Sequence, residues 1–373
     1  MDREGRAMRA RAATAVAAAL VLSGGVSTAT LADNDRGWDR GKLDTRSGLH
    51  PDMNDPKIAG DPDYGVCRGT SPKCYHNWVP NRQNRVLIYS RTAGPRHANI
   101  QPALVAGLNP PLDPTRNVAQ RALIEWLAEV GVLANWTEDV NTLAGQLGPG
   151  ADDYKAVIFL SPTRDALWKH GSAVMTTGTP PVVTGPQPNT TTNAHLDAGK
   201  TALRQFMRSG GGFVGIHNAF GTEYNWPYYE GLLGNANYYN HGDNQDGEVN
   251  VVAQDPSTAG LPKTWLFRDE WYNLRPFPTK VKFLLTVNAQ KEGFELSSAH
   301  PGHGKFHPVA WCQYYDGGRV WVTTLGHDPA FAQGAGFPGG AEFKKLIVQG
   351  ILSAMGNTDF CTPDHRQRHD KDD

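Results

Sequence analysis

Charge imbalance is the first thing the chain lacks. Against 36 Lys plus Arg stand 37 Asp plus Glu, a formal net charge of -1 over 373 residues. Bulk electrostatic attachment to nucleic acid or to anionic lipid is thereby disfavoured. Beyond the N-terminal segment there is no apolar run long enough to cross a bilayer. GxxxxGK[ST] does not occur, so that common phosphate-binding loop is missing, and GxGxxG appears only as the bare strings GGGFVG and GAGFPG. Cysteine is scarce as well: there are four, with no second pair at two-residue spacing, which argues against a cysteine zinc site. Where GGGFVGIHNAF resembles a strand-to-helix nucleophile elbow, the turn holds His217 and Asn218 and no Ser or Cys. That disfavours acyl chemistry of the esterase or amidotransferase kind.

What is present begins with a leader pattern. Arg3, Arg6, Arg9 and Arg11 precede an apolar run from Ala12 to Leu22, and small residues follow at Thr30 and Ala32. This predicts a secretory signal over residues 1–32 and an extracytoplasmic mature chain with no membrane segment. In an oxidising compartment the cysteines gain meaning. Cys67 and Cys74 sit in a turn-rich stretch where a local disulfide is favoured over a bridge from either to Cys361, while Cys312, in VAWCQYY, reads as a buried small side chain. Residues 33–84 have no helical or strand period and are expected to form an extended arm pinned by that disulfide.

Regular structure is expected from Arg85. VLIYS, AVIFL and FVGIH are short, wholly apolar runs of the kind that form buried parallel strands. Helices are read between them, one from Leu123, Trp126, Leu127 and Val130 with Gly131 as its stop, another from Leu203, Phe206 and Met207 before Gly210. The fold class is therefore α/β, a mostly parallel central sheet between helices. VNVVA, VKFLLTV, PVAWCQ and RVWVTT add further strands, some of them antiparallel, and Phe343, Leu346, Ile347 and Ile351 mark a last helix before Gly356. One core sheet over 85–356 implies one domain, with 357–373 as a charged, solvated tail.

In an open parallel sheet, ligands collect at the carboxyl ends of the strands. His97, His217 and His327 fall at or just past such ends, and His241 lies in the loop NYYNHGDNQDGE. Imidazole suits both metal ligation and proton transfer near neutral pH. His300, His303 and His307 are denser in sequence, but the prolines and glycines around them fix no ligand geometry. Among the acids, Glu223 follows the His217 strand, and Asp269 with Glu270 sits beside Trp271 and Tyr272, where burial against rings raises a carboxyl pKa. A salt bridge to Arg268 or Arg275 is the competing account of that pair. Trp226, Trp271 and Tyr272 belong to a ring-dense segment suited to stacking on a sugar face or to the core.

VLIYSRTAGPRH, GGGFVGIHNAF with YNWPYYEGLLGNANYYNH, DEWYNL and HPVAWCQYYDGGRVWVTTLGHD, followed by the last helix, resemble in order and spacing the blocks of the ThuA-like, trehalose-utilisation family. The resemblance implies a flavodoxin-like, class I glutamine-amidotransferase-like sandwich. It places His97, His217, His241, His327 and Glu270 on the family's polar site positions and implies a role in sugar catabolism, often of keto-disaccharides. Asn218 stands where the family commonly has a small or hydroxyl residue, and Gly242 where proline is usual.

Two functions from different classes follow. In the first, the protein is a secreted enzyme on a carbohydrate substrate: His97, His217, His241 and His327 hold a divalent metal, zinc as the first choice, and His217, Glu270 or Glu223 moves the proton in hydrolysis or isomerisation of a sugar or keto-sugar. Trp226, Trp271, Tyr272 and Asn218 would hold the substrate. In the second, a non-catalytic secreted carbohydrate-binding protein uses the same histidines only as hydrogen-bonding groups.

Overall fold

The computed structural model describes residues 64–148, 150, 152–167, 198–289 and 302–362, together with the backbone of two short paired strands, β5 (Val174–Thr176) and β6 (Val182–Thr184). The expected signal, the first part of the arm, His300, most of the loop 171–193 and most of the tail lie outside the described residues. No helix among them is long and apolar enough to cross a membrane.

Five strands form the parallel part of the sheet: β2 (Arg85–Tyr89), β3 (Leu133–Thr137), β4 (Ala156–Leu160), β7 (Gly212–Ile216) and β14 (Gly318–Thr323). They lie side by side in the order β3-β2-β4-β7-β14. Numbered by chain order that is 2-1-3-4-5, the flavodoxin-like arrangement, whose order reverses between β2 and β4. Every residue of β4 and β7 is buried, because both faces of the sheet are covered. Val86, Ile88, Ala156, Ile158, Val214 and Ile216 pack with α1 (Val118–Glu129) and α5 (Gly340–Ala354). The alternate residues Leu87, Tyr89, Val157, Phe159 and Phe213 pack on the other side with α2 (Val140–Leu147) and α3 (Ala198–Arg208).

On α1 the buried residues Ala119, Ala122, Leu123, Trp126 and Leu127 keep helical spacing. Val130, expected on that face, lies past the helix end and is 44% exposed, because Gly131 at φ 72 has already turned the chain.

Beyond β14 the sheet turns antiparallel through β13 (His307–Tyr315), β12 (Lys282–Val287), β9 (Gln245–Val251) and β10 (Thr264–Asp269), with β1 (Arg68–Gly69) paired to β13. The β13–β14 hairpin turns on Asp316 and Gly317, both at positive φ, as a two-residue turn between twisted strands requires. A small helix, α4 (Pro227–Leu232), and the pair β8 (Tyr238–Asn240) with β11 (Asn273–Leu274) cover the region beyond β7. Cys67 and Cys74 form the expected local disulfide. Cys312 corrects its expectation: it is not a free small side chain but is bonded to Cys361, tying β13 to the segment after α5. An apolar strand context suggests only packing, and a cystine packs equally well there.

Candidate metal centre

The carboxyl ends of β2, β7 and β14 each release a loop carrying one histidine, and the loops converge. His217 follows β7 directly and starts a 3-10 turn at φ 52, a left-handed conformation costly for a residue with a Cβ. Its side chain is fully buried. Gly326, just before His327, sits at φ 123, a conformation open essentially to glycine alone; a Cβ there would also crowd Ile216. Asn99, two residues past His97, donates to the Gly326 carbonyl at 2.8 Å and so fastens the His97 loop to the His327 loop.

Glu270 arrives from β10 at the opposite edge of the sheet, and Asp269 explains how. The Asp269 carboxylate is buried and accepts the backbone N–H groups of Gly326 at 2.6 Å, His327 at 3.1 Å and Glu270 at 2.8 Å. Neither Arg268 nor Arg275 accounts for it; Arg268 pairs with Asp246. Burial raises the Asp269 pKa to about 7, against the pull of those N–H donors.

The result is a constellation in which His97, His217, His327 and Glu270 each bring one ligand atom to within 4.8 Å of all the others. Glu270 Oε2 lies 3.1 Å from His327 Nδ1, 3.5 Å from His241 Nε2 and 3.7 Å from His217 Nε2. The His97 and His217 rings meet edge to face at 4.8 Å between centroids. His217 Nδ1 lies 2.9 Å from the Thr324 carbonyl, which can only accept, so that nitrogen carries the proton and Nε2 presents a lone pair. The Tyr272 hydroxyl donates to that lone pair at 2.8 Å. His97 Nδ1 is buried with no hydrogen-bond partner among the described residues.

Electrostatics divide the imidazoles into two kinds. Burial, with His327 close by, pushes His97 down to about 4, and burial with the neighbouring imidazoles pushes His217 well below its usual range. Both are neutral at physiological pH. For His327 burial acts in the same direction, but the Glu270 carboxylate outweighs it and raises the pKa. Glu270 is lowered in turn: burial would raise it, and the hydrogen bond from His327 with the charge of the surrounding imidazoles prevails.

Other residues singled out in the sequence fall around this centre unevenly. His241 lies outside the four-residue set, with Nε2 on Glu270 and its ring stacked on Tyr272 at 5.7 Å, so Glu270 takes the place expected for it. Asn218 is buried, donates to the Pro162 carbonyl at 3.0 Å and turns its Oδ1 toward the Tyr272 hydroxyl at 3.4 Å. Glu223 does not join the centre: buried, it pairs with Lys200 at 2.9 Å and accepts the Leu167 N–H at 2.7 Å. Trp226 packs over Lys200, and Trp271 is buried in the core with its Nε1 donating to the Gln245 carbonyl. His303 and His307 are buried apart from it; His303 Nε2 accepts the Leu274 N–H at 2.9 Å and His307 Nε2 meets the Tyr272 carbonyl. The tethers Asp269 and Asn99 carry no sequence signal for their roles, since the loops they join are far apart along the chain.

Fold and site together define a three-layer α/β protein with a histidine-carboxylate centre over the carboxyl ends of its parallel strands. Residues 85–352 match the family described as ThuA, trehalose utilisation, and the chain belongs to that family. The flavodoxin-like strand order agrees with the sandwich that the resemblance implies. Among solved structures, the chain is similar to a protein described as ThuA-like from Bacteroides uniformis, at 19% identity, covering 72% of this chain and 91% of that one with a TM-score of 0.47. A second protein so described, from Parabacteroides merdae, shares 16% identity over 74% of this chain and 90% of its own, TM-score 0.46. A protein described as a GMP synthase component, from Thermoplasma acidophilum, follows at 9% identity, 73% and 98% coverage and TM-score 0.34. No curated protein matches the chain by sequence.

Proposed function

We propose that this protein is an extracytoplasmic carbohydrate-processing enzyme, in which His97, His217, His327 and Glu270 hold a divalent cation and a sugar or keto-sugar is hydrolysed or isomerised. The single observation carrying this reading is the convergence of three imidazoles and one carboxylate from four separate strand ends. The donor set fits zinc: three imidazole nitrogens, that of His327 once its proton is displaced, and one carboxylate oxygen are borderline ligands, and His217 has its tautomer fixed by the Thr324 carbonyl as ligating histidines usually do. The buried, partnerless His97 Nδ1 is a second point of fit. Ligand atoms spread over 4.8 Å would have to draw inward by a modest amount to hold one ion, and acting on a substrate would need a coordination position left open beside them. A zinc ion held there would polarise a sugar carbonyl or acidify a bound water. His241, whose side chain is 31% exposed and touches Glu270, is the group placed to exchange a proton with solvent. Tyr272 and Asn218 are placed to orient a hydroxyl beside His217.

The two disulfides support an oxidising location, since such bonds persist mainly outside the cytoplasm. Family membership supports carbohydrate as the substrate class.

One observation favours a second reading, a metal-free carbohydrate-binding protein: His217 has both nitrogens engaged by Thr324 and Tyr272, and His327 is paired with Glu270. Metal analysis of the purified mature chain, coupled to a screen against disaccharides and their oxidised forms, separates the two. Stoichiometric metal lost in His217→Ala, with turnover of a sugar, supports the enzyme. Metal-free protein that binds glycans without turnover supports the second reading.

A further inference from the structure

The order of the parallel strands reverses between β2 and β4, and in such sheets the crevice at the reversal is where ligands bind. The loop after β2 carries His97 on one side of this crevice; the loop after β4, Ser161 to Leu167, forms the other. Arg164 stands on that second loop. Its backbone is held rigidly, N–H to the Gly221 carbonyl at 2.8 Å and carbonyl to the Glu223 N–H at 2.9 Å, with φ at 63. The same loop is tied to the centre through Pro162, whose carbonyl accepts from Asn218 beside His217.

The Arg164 side chain crosses to the β2 loop. A Cβ at Gly94 would lie 2.4 Å from its Cδ and 2.5 Å from its Nε, so the glycine leaves the space the side chain occupies, three residues before His97. What the guanidinium does there is unusual. Its Nη1 is buried with no hydrogen-bond acceptor among the described residues, and the neighbouring Tyr224 and Asp165 act on it only electrostatically. A buried donor without a partner is costly and calls for an explanation. Its neighbours on the loops are committed: Arg91 donates to the Ala166 carbonyl and Arg96 is paired with Glu138 at 2.6 Å. Arg164 is half-buried, not sealed in the core.

We infer that Arg164 is the recognition residue for an anionic substituent, carboxylate or phosphate, on the sugar that occupies the crevice beside His97. A guanidinium fork matches either oxyanion with paired hydrogen bonds, which a neutral sugar hydroxyl does not offer. The inference rests on the reading of this site as a carbohydrate site and narrows the substrate class from neutral to acidic sugars.

The test is calorimetric binding of glucose, glucuronate and glucose 6-phosphate to the mature protein, with and without added zinc, compared with Arg164→Gln and Arg164→Lys. Wild type binds glucuronate or glucose 6-phosphate at least about tenfold more tightly than glucose, because only the oxyanions offer the guanidinium a bidentate partner. Which of the two binds more tightly identifies the substituent. Arg164→Gln removes the preference while leaving glucose affinity and zinc content unchanged, and Arg164→Lys restores part of it. Equal affinity for all three sugars in wild type, or an undiminished preference in Arg164→Gln that keeps its fold by circular dichroism, overturns the inference. Zinc-loaded protein with no anionic preference overturns it and leaves the metal reading intact; an Arg164-dependent preference in protein that takes up no zinc does the reverse.

Discussion

Two groups of histidines in this molecule differ in a way that separates density along a chain from density in space. His303 and His307 are close in sequence and in space, with ring centroids 4.9 Å apart, yet they serve the scaffold: one accepts a backbone N–H from β11, the other meets a backbone carbonyl. His97, His217 and His327 are far apart in sequence and meet over the sheet with a carboxylate among them. The centre differs by having Glu270. An acid within 3.1–3.7 Å of His217, His241 and His327 gives the group a net attraction for a cation that imidazoles alone supply less strongly.

The largest expected effect tests this contrast directly. His217→Ala removes a ligand and should weaken zinc binding on the order of a thousandfold, well beyond the roughly 10–100-fold that loss of an outer hydrogen bond costs. His303→Ala should leave zinc affinity unchanged and lower stability by about 1–3 kcal/mol by orphaning the buried Leu274 N–H. Competition with a chromogenic chelator and urea denaturation read the two quantities. Equal zinc affinity in the two variants would erase the distinction between the groups.

A second pair sharpens it among the acids. Glu223 and Lys200 are a buried ion pair, their side chains 0% and 4% exposed. Breaking it strands a buried charge, so Glu223→Ala should cost about 3–5 kcal/mol of stability while zinc affinity stays as in wild type. Asp269→Asn should show the opposite pattern. An amide in place of one carboxylate oxygen sets N–H against the N–H of Gly326 or of His327 and Glu270, loosening two ligand loops together. Zinc affinity should drop about 10–100-fold. A D269N protein with undiminished affinity would show that the loops hold themselves.

The parts of this architecture that could be read from sequence are those whose physics is local. AVIFL is β4 residue for residue, because a strand buried on both faces needs a continuous apolar run. The strand β3, LANWT, carries no such signal: it is the sheet's edge, Leu133 is 61% exposed, and its Asn, Trp and Thr follow neither an apolar run nor a clean alternation. In β10 the alternation is present, with Trp265 and Phe267 inward and Leu266 outward, but it is short and merges into the acids that follow it. The three strand-end histidines are legible because a parallel sheet dictates where its loops gather. That Glu270 and not His241 completes the set is not, since it depends on Asp269 meeting backbone groups 57 and 58 residues away. The Cys312–Cys361 bridge is hidden for the same reason, with 49 positions separating chemically equivalent thiols.

The smallest effect concerns pH and distinguishes His327 from its partners. His97 and His217 have pKa values pushed below their ordinary range, so acidification from pH 8 to 6 leaves both neutral. His327 is raised by Glu270, so in the absence of metal it holds its proton to higher pH than they do. A raised folded pKa means that the His327–Glu270 pair stabilises the metal-free protein fully below about 6.5, the unfolded value, and loses that contribution as pH rises through the folded value. Zinc binding has the opposite dependence, because the ion must displace the His327 proton. Zinc affinity should therefore fall by up to about tenfold per pH unit below the His327 pKa, with about one proton released per ion bound, measurable by calorimetry in buffers of different ionisation enthalpy. His327→Gln should flatten the profile over the same window and bind zinc more weakly throughout. A profile that stays steep in this variant would assign the displaced proton to another group.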